Sequence, residues 1–170
     1  DRHKLEIFNS PDLMQHFGPL VQKCLGGGGV SRQLKQEAFM LLSLASGCRH
    51  CQAHGGYGLH MAGVSPERIQ ASWNFERSDE FSEAERAVYN FALAAGAQPN
   101  ATTSAHFEAL RSHYSDAQIT ELLAVVAISG LSDAPDAPPA DPPAEQADSP
   151  MTATIAAIIA YASRIFSRSC

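Results

Sequence analysis

The sequence lacks the marks of several large function classes. It has no basic stripe: 12 Lys and Arg stand against 18 Asp and Glu, a formal charge of −6, which argues against nucleic acid as a partner. No apolar run reaches the roughly 18 residues of a membrane span, and no secretory leader opens the chain, so a soluble, cytoplasmic protein is expected. Cysteine is scarce, with Cys24, Cys48, Cys51 and Cys170 unevenly spaced; this is not a secreted disulfide framework. The glycine run Gly26–Gly29 is not a phosphate loop, because no strand pattern precedes it and no Gly-Lys-Ser/Thr follows. Alternating strand patterns are missing too.

What is present is helical. An apolar fraction of 45% over 170 residues suffices for one cored domain. Ser10-Pro11-Asp12 reads as a cap, an N1 proline and an acidic first turn, followed by Leu13, Met14, Phe17, Leu20, Val21 and Cys24 at helical spacing. Gly26–Gly29 is expected to be a flexible connection. Ser31 opens a helix that is apolar on nearly every side and therefore central; Ser46-Gly47 breaks it. Further helices are expected from Cys48 to about Ala62, from Pro66 to Trp73, after the capping box Ser82–Glu85, over Ser104–Tyr114, and after the capping box Ser115–Gln118. His106 and His113 are read as solvated. The fold class is all-α. Residues 1–132 form the domain; 133–150, dense in Pro, Ala and Asp, form an extended linker; 151–170 form a short amphipathic helix with Ile155, Ile158, Ile159 and Ile165 on one face.

The most informative segment is Cys48-Arg-His-Cys51-Gln-Ala-His54. On a helix these three side chains stay on roughly one side, and a thiol at a helix start is favoured as thiolate. A nucleophile, a second thiol and a base are thereby gathered for dithiol/disulfide chemistry. Three other readings compete. A zinc site would take the thiols with His50, His54 or His60, but no second ligand pair follows. Inert buried thiols are opposed by the polar flanks Arg49, His50, Gln52 and His54. Haem attachment needs His directly after the second Cys, where Gln52 stands.

Ser46 to His54, then Ala62-Gly63-Val64-Ser65-Pro66-Glu67-Arg68-Ile69, Phe81 to Arg86 and His106 to Leu110 together resemble the alkylhydroperoxidase D-like group of the carboxymuconolactone decarboxylase superfamily. The likeness extends from about Ile7 to Gly130. It implies an all-helical homo-oligomer, a trimer or hexamer, with an active-site helical hairpin. It further implies a peroxidase acting on small alkyl hydroperoxides, with Cys51 as the attacking thiol, Cys48 as the resolving thiol and His54 in the proton relay. No bound cofactor is implied; an external dithiol, such as a lipoyl-protein, would restore the thiols. A decarboxylase-like lyase using His54 as acid and base on a small cyclic acid is the alternative, with a non-enzymatic redox-sensing or zinc-stabilised module behind it. The chain departs from the family at Gln36, where the best-known members carry glutamate. Neighbouring Glu37 would be turned by about 100°. It departs again at His54, three rather than four residues after Cys51, and in the tail after Ser129.

Overall fold

The computed structural model describes residues 10–132. Residues 1–9, the expected linker over 133–150 and the expected helix over 151–170 lie outside the described residues. Within them the chain is all helical, seven α-helices and one 3-10 turn at Phe75–Arg77 without a strand. No described helix is long and apolar enough to cross a membrane.

The helices begin where the sequence supplies oxygen caps for the first unpaired N–H groups. α1 (Pro11–Leu25), α2 (Arg32–Ala45) and α4 (Pro66–Ser72) start behind Ser10, Ser31 and Ser65, each accepting an N–H three residues on. α5 (Glu83–Gly96) has the reciprocal Ser82–Glu85 box, and α7 (Asp116–Ser132) the Ser115–Gln118 pair. α6 (Ser104–Arg111) is shorter than expected: the N–H groups of His113 and Tyr114 both bond the Leu110 carbonyl, closing the chain into a turn. His106 is not simply solvated either. Half-buried, its Nδ1 accepts the Thr103 N–H at 3.1 Å, the work that Glu does in an ordinary box.

α2 is the central helix, as its all-round apolarity predicts, packed against α5, α7 and α3 (Arg49–Met61). Leu34, Ala38, Leu41 and Leu42 of α2 share a core with Val88, Tyr89 and Phe91 of α5 and Ile119 and Leu122 of α7. α1, by contrast, buries no residue; Leu13 and Leu20 are about half exposed.

The glycine connection is tethered rather than flexible. Glu121 accepts the N–H groups of Gly29 at 2.9 Å and Val30 at 3.2 Å, and pairs with Lys35 at 2.7 Å. Lys35, only 2% exposed, also donates to the Gly26 carbonyl, and Gln118 donates to the Gly29 carbonyl. A buried ammonium needs such partners. Lys35 first, and the two backbone N–H groups after it, hold the Glu121 carboxyl down at about 2.

Candidate functional site: a dithiol turn between α2 and α3

Three residues separate α2 from α3, and Cys48 serves both helices. α2 ends in a Schellman turn: Gly47, at φ +77°, takes the left-handed conformation that a side chain disfavours. Its N–H bonds the Leu44 carbonyl, and the Cys48 N–H bonds the Ser43 carbonyl at 3.0 Å. The same Cys48 is the N-cap of α3, its sulfur accepting the Cys51 N–H at 3.3 Å. The Ser43 carbonyl also accepts from Ser46 Oγ and Gln52 Nε2, each at 3.2 Å. The two sulfurs are at disulfide-bonding distance, with Cα atoms 5.4 Å apart, within the usual span. α3 lies close on α2, since a Cβ at Gly55 would sit 2.9 Å from Met40 Cβ.

Despite their polar flanks, both cysteines are buried, at 3% exposure, in one cluster with Phe39 of α2 and Val125 of α7; Leu25 of α1 packs against it. His54 sits one turn beyond Cys51, half-buried. Its Nδ1 lies 3.2 Å from the His50 carbonyl, and the two imidazoles meet edge to face. A carbonyl only accepts, so Nδ1 carries the proton and the Nε2 lone pair is the basic one. The site therefore holds an oxidisable sulfur pair between apolar walls and a histidine of defined tautomer one turn away. Among the described residues no three His, Cys, Asp or Glu side chains gather to hold a metal ion, and Cys24 is a free thiol on α1.

Gln36 and Glu37 part company. Gln36 reaches α3, its Oε1 lying 2.9 Å from where a Gly58 Cβ would be. Glu37 faces the other way, 1% exposed. Its carboxylate accepts from Arg68 Nε at 2.8 Å, Arg68 Nη2 at 3.3 Å, Tyr89 Oη at 2.6 Å and Gln33 Nε2 at 3.0 Å. Arg68 also pairs with Glu85 at 2.6 Å and stacks over Phe81. The Glu37 hydrogen bond, against the opposing effect of burial, raises the Arg68 pKa above its already high ordinary value. Burial first, then the Glu37 charge, raises that of Tyr89. A cleft of about 300 Å³ opens beside this cluster, lined by Ser31, Gln33, Leu34, Glu37, Arg68 and Glu85; neither cysteine lines it. Sequence reasoning missed this ionic cluster. The available signal was Glu37 directly before the apolar run Ala38–Leu42 of a helix expected to be central, since a charged group there is buried only when paired.

The profile of the carboxymuconolactone decarboxylase family matches residues 11–94. Among solved structures, the debrominase Bmp8, as a cysteine-to-alanine variant in complex with 2,3,4-tribromopyrrole, is 30% identical with a TM-score of 0.71, covering 75% of this chain and 68% of that one. Apo Bmp8 is 29% identical with a TM-score of 0.73, covering 89% and 80%. An alkylhydroperoxidase AhpD core, an uncharacterized peroxidase-related protein from Ralstonia eutropha JMP134, is 25% identical with a TM-score of 0.63, covering 75% and 68%. A search of curated proteins found no significant match. With the helical fold, the CxxC turn and these likenesses in hand, the chain belongs to the carboxymuconolactone decarboxylase family, on its AhpD-like side.

Proposed function

We propose that this chain is a dithiol oxidoreductase whose Cys48–Cys51 pair reduces a small electrophile, an alkyl hydroperoxide in the first instance. The observation that carries the reading is the pair of sulfurs brought to bonding distance at the start of α3. The Cys51 thiolate attacks the terminal oxygen of ROOH; the O–O bond breaks, and RO⁻ leaves as ROH with a proton passed through His54. Cys51 becomes a sulfenic acid. The Cys48 sulfur then attacks the Cys51 sulfur, the disulfide forms, and hydroxide departs as water. An external dithiol, of the lipoyl-protein kind, reopens the bond by two exchange steps and is itself oxidised. The walls of Phe39, Val125 and Leu25 suit an organic substrate better than a fully hydrated one. The working form is a homo-oligomer, a trimer or hexamer, in the cytoplasm.

The likeness to Bmp8 favours a second reading on the same sulfurs, reductive debromination. There an aryl bromide and two thiols give the arene, hydrogen bromide and the disulfide, so the halogenated ring takes the two electrons that a peroxide would. A lyase using His54 alone as acid and base predicts activity indifferent to thiol alkylation.

Intact mass of the reduced full chain, before and after one equivalent of cumene hydroperoxide or of 2,3,4-tribromopyrrole, tests the proposal with Cys51→Ser alongside. Loss of two hydrogens in the wild type, absent in the variant, is expected. Whichever compound produces it names the substrate class. An unchanged mass with both compounds removes both thiol readings.

A further inference from the structure

Among the described residues two buried side-chain atoms, Trp73 Nε1 and Ser129 Oγ, make no hydrogen bond. Ser129 is the more telling, because it is wholly buried and lies on the helix that walls the dithiol. A serine within a helix ordinarily donates to the carbonyl four residues back, as Ser43 does to Phe39 at 2.8 Å; Ser129 does not. A buried hydroxyl left unbonded is destabilising, so its place calls for a partner in some state of the protein.

The packing says which. α7 runs beside α2 in the same direction: Glu121 pairs with Lys35, and one turn on Val125 shares a cluster with Phe39, Cys48 and Cys51. Carrying that register one further turn along the helix would bring Ser129 level with Ser43, the residue whose carbonyl holds the Cys48 N–H. We infer that Ser129 is a positioning residue of the dithiol, its hydroxyl donating to the sulfur that carries negative charge once the pair is reduced. The inference rests on the dithiol reading above. While the disulfide is closed no sulfur is anionic, and the hydroxyl stands unbonded. On reduction an anion appears between apolar walls, where a charge-assisted bond is worth most. The Cys51 N–H already points at Cys48 Sγ; Ser129 adds a donor from the neighbouring helix.

The ionisable groups around the pair are the same whatever stands at 129. α3 brings Arg49, His50 and His54, and α1 brings Lys23 and Cys24 beside Leu25. On α2, Lys35 and Glu37 are engaged by Glu121 and Arg68, and α7 has no ionisable residue after Glu121.

The test is the pH profile of iodoacetamide alkylation at Cys48 and Cys51 in the reduced full chain, read by peptide mass so that Cys24 and Cys170 do not interfere. Ser129→Ala is expected to move the more reactive thiol's profile up by about one pH unit, roughly a tenfold loss of rate below the midpoint. Ser129→Thr, which keeps the hydroxyl, is expected to stay near the wild type. A folded Ser129→Ala whose profile superimposes on the wild type overturns the inference; if that variant does not fold, Ser129→Gly is held to the same comparison. Alkylation needs no substrate, so the two ideas fail separately. An unmoved profile with intact oxidation sinks the role of Ser129 alone. A moved profile, with neither hydroperoxide nor bromopyrrole oxidising the pair, sinks the proposed function and leaves Ser129 in place.

Discussion

The two faces of α2 make opposite use of polar chemistry. Toward α4 and α5, Glu37 is enclosed by Arg68, Tyr89 and Gln33, and Arg68 is shared with Glu85; the charges are many and nearly all their valences are met. Toward α3 and α7, the sulfurs of Cys48 and Cys51 sit against Phe39 and Val125, and Ser129, a buried hydroxyl on α7, makes no hydrogen bond. Perturbed titrations fall on the ionic face, at Arg68, Glu85 and Tyr89, although such shifts are often taken to mark functional groups. The difference shows why charge density is a poor guide: a saturated ionic network has nothing left to offer a substrate, whereas a sulfur pair at bonding distance can take up and give back electrons. On this view the ionic cluster holds α2, α4 and α5 together, and the dithiol is where the proposed chemistry would take place.

That contrast can be broken by separating activity from stability. Cys51→Ser should reduce hydroperoxide or bromopyrrole turnover to background, a loss on the order of a thousandfold or more for a nucleophile, while the urea midpoint moves little. Retained turnover would end the dithiol assignment. Glu37→Ala should do the reverse. It strands a partly buried Arg68 and the Tyr89 hydroxyl, and about 3 kcal/mol of unfolding free energy should be lost, at the low end because Arg68 is 22% exposed and keeps Glu85. Oxidation of the cysteine pair should persist in whatever fraction is folded; a stable Glu37→Ala with a silent dithiol would merge the two regions. Gly55→Ala probes the seam between them. The new methyl meets Met40 at 2.9 Å, an overpacking cost of about 1–3 kcal/mol partly offset by roughly 1 kcal/mol of helix propensity. A net loss of about 1 kcal/mol and a slower rate of disulfide closure are expected by thermal melting and thiol assay.

The smallest effect is a pH slope. The Glu121 carboxyl is held at about 2, below the value near 4.3 of an unfolded chain. Its contribution is therefore whole above about pH 4.3 and drains away as pH falls toward 2. Thermal midpoints of the wild type should decline over that window more than those of Glu121→Gln, the two converging at its acid end. Parallel curves would mean that the tether over the glycine connection contributes nothing.

Local signals were read well from the sequence, and distant pairings were not. Ser10, Ser31, Ser65 and Ser82 each act within three or four residues, so their spacing alone placed the helix starts. The CxxC segment was equally visible, because both thiols belong to one turn. Lys35 meets Glu121 across about half of the chain, and Glu37 meets Arg68 and Tyr89 from 31 and 52 residues away. Helical periodicity sees only one element at a time, and by its rule charged residues face water. The glycine connection was misjudged for the same reason, its restraint coming from α7. The cap partnership of His106 went unseen because that role is usually played by Glu or Gln.

The linkage of α2 to α3 has a kinetic consequence. Because Cys48 closes one helix and opens the next, no spare backbone lets the sulfurs drift apart when their bond is cut. Groups held in this way react with effective concentrations that can reach about 10⁵ M or beyond. An oxidised sulfur at Cys51 would meet its neighbour long before a second molecule of oxidant, and irreversible over-oxidation would be outrun rather than resisted. The pace of the cycle would then belong to the arrival of fresh electrons from outside, and the molecule would spend its working life waiting in the closed state.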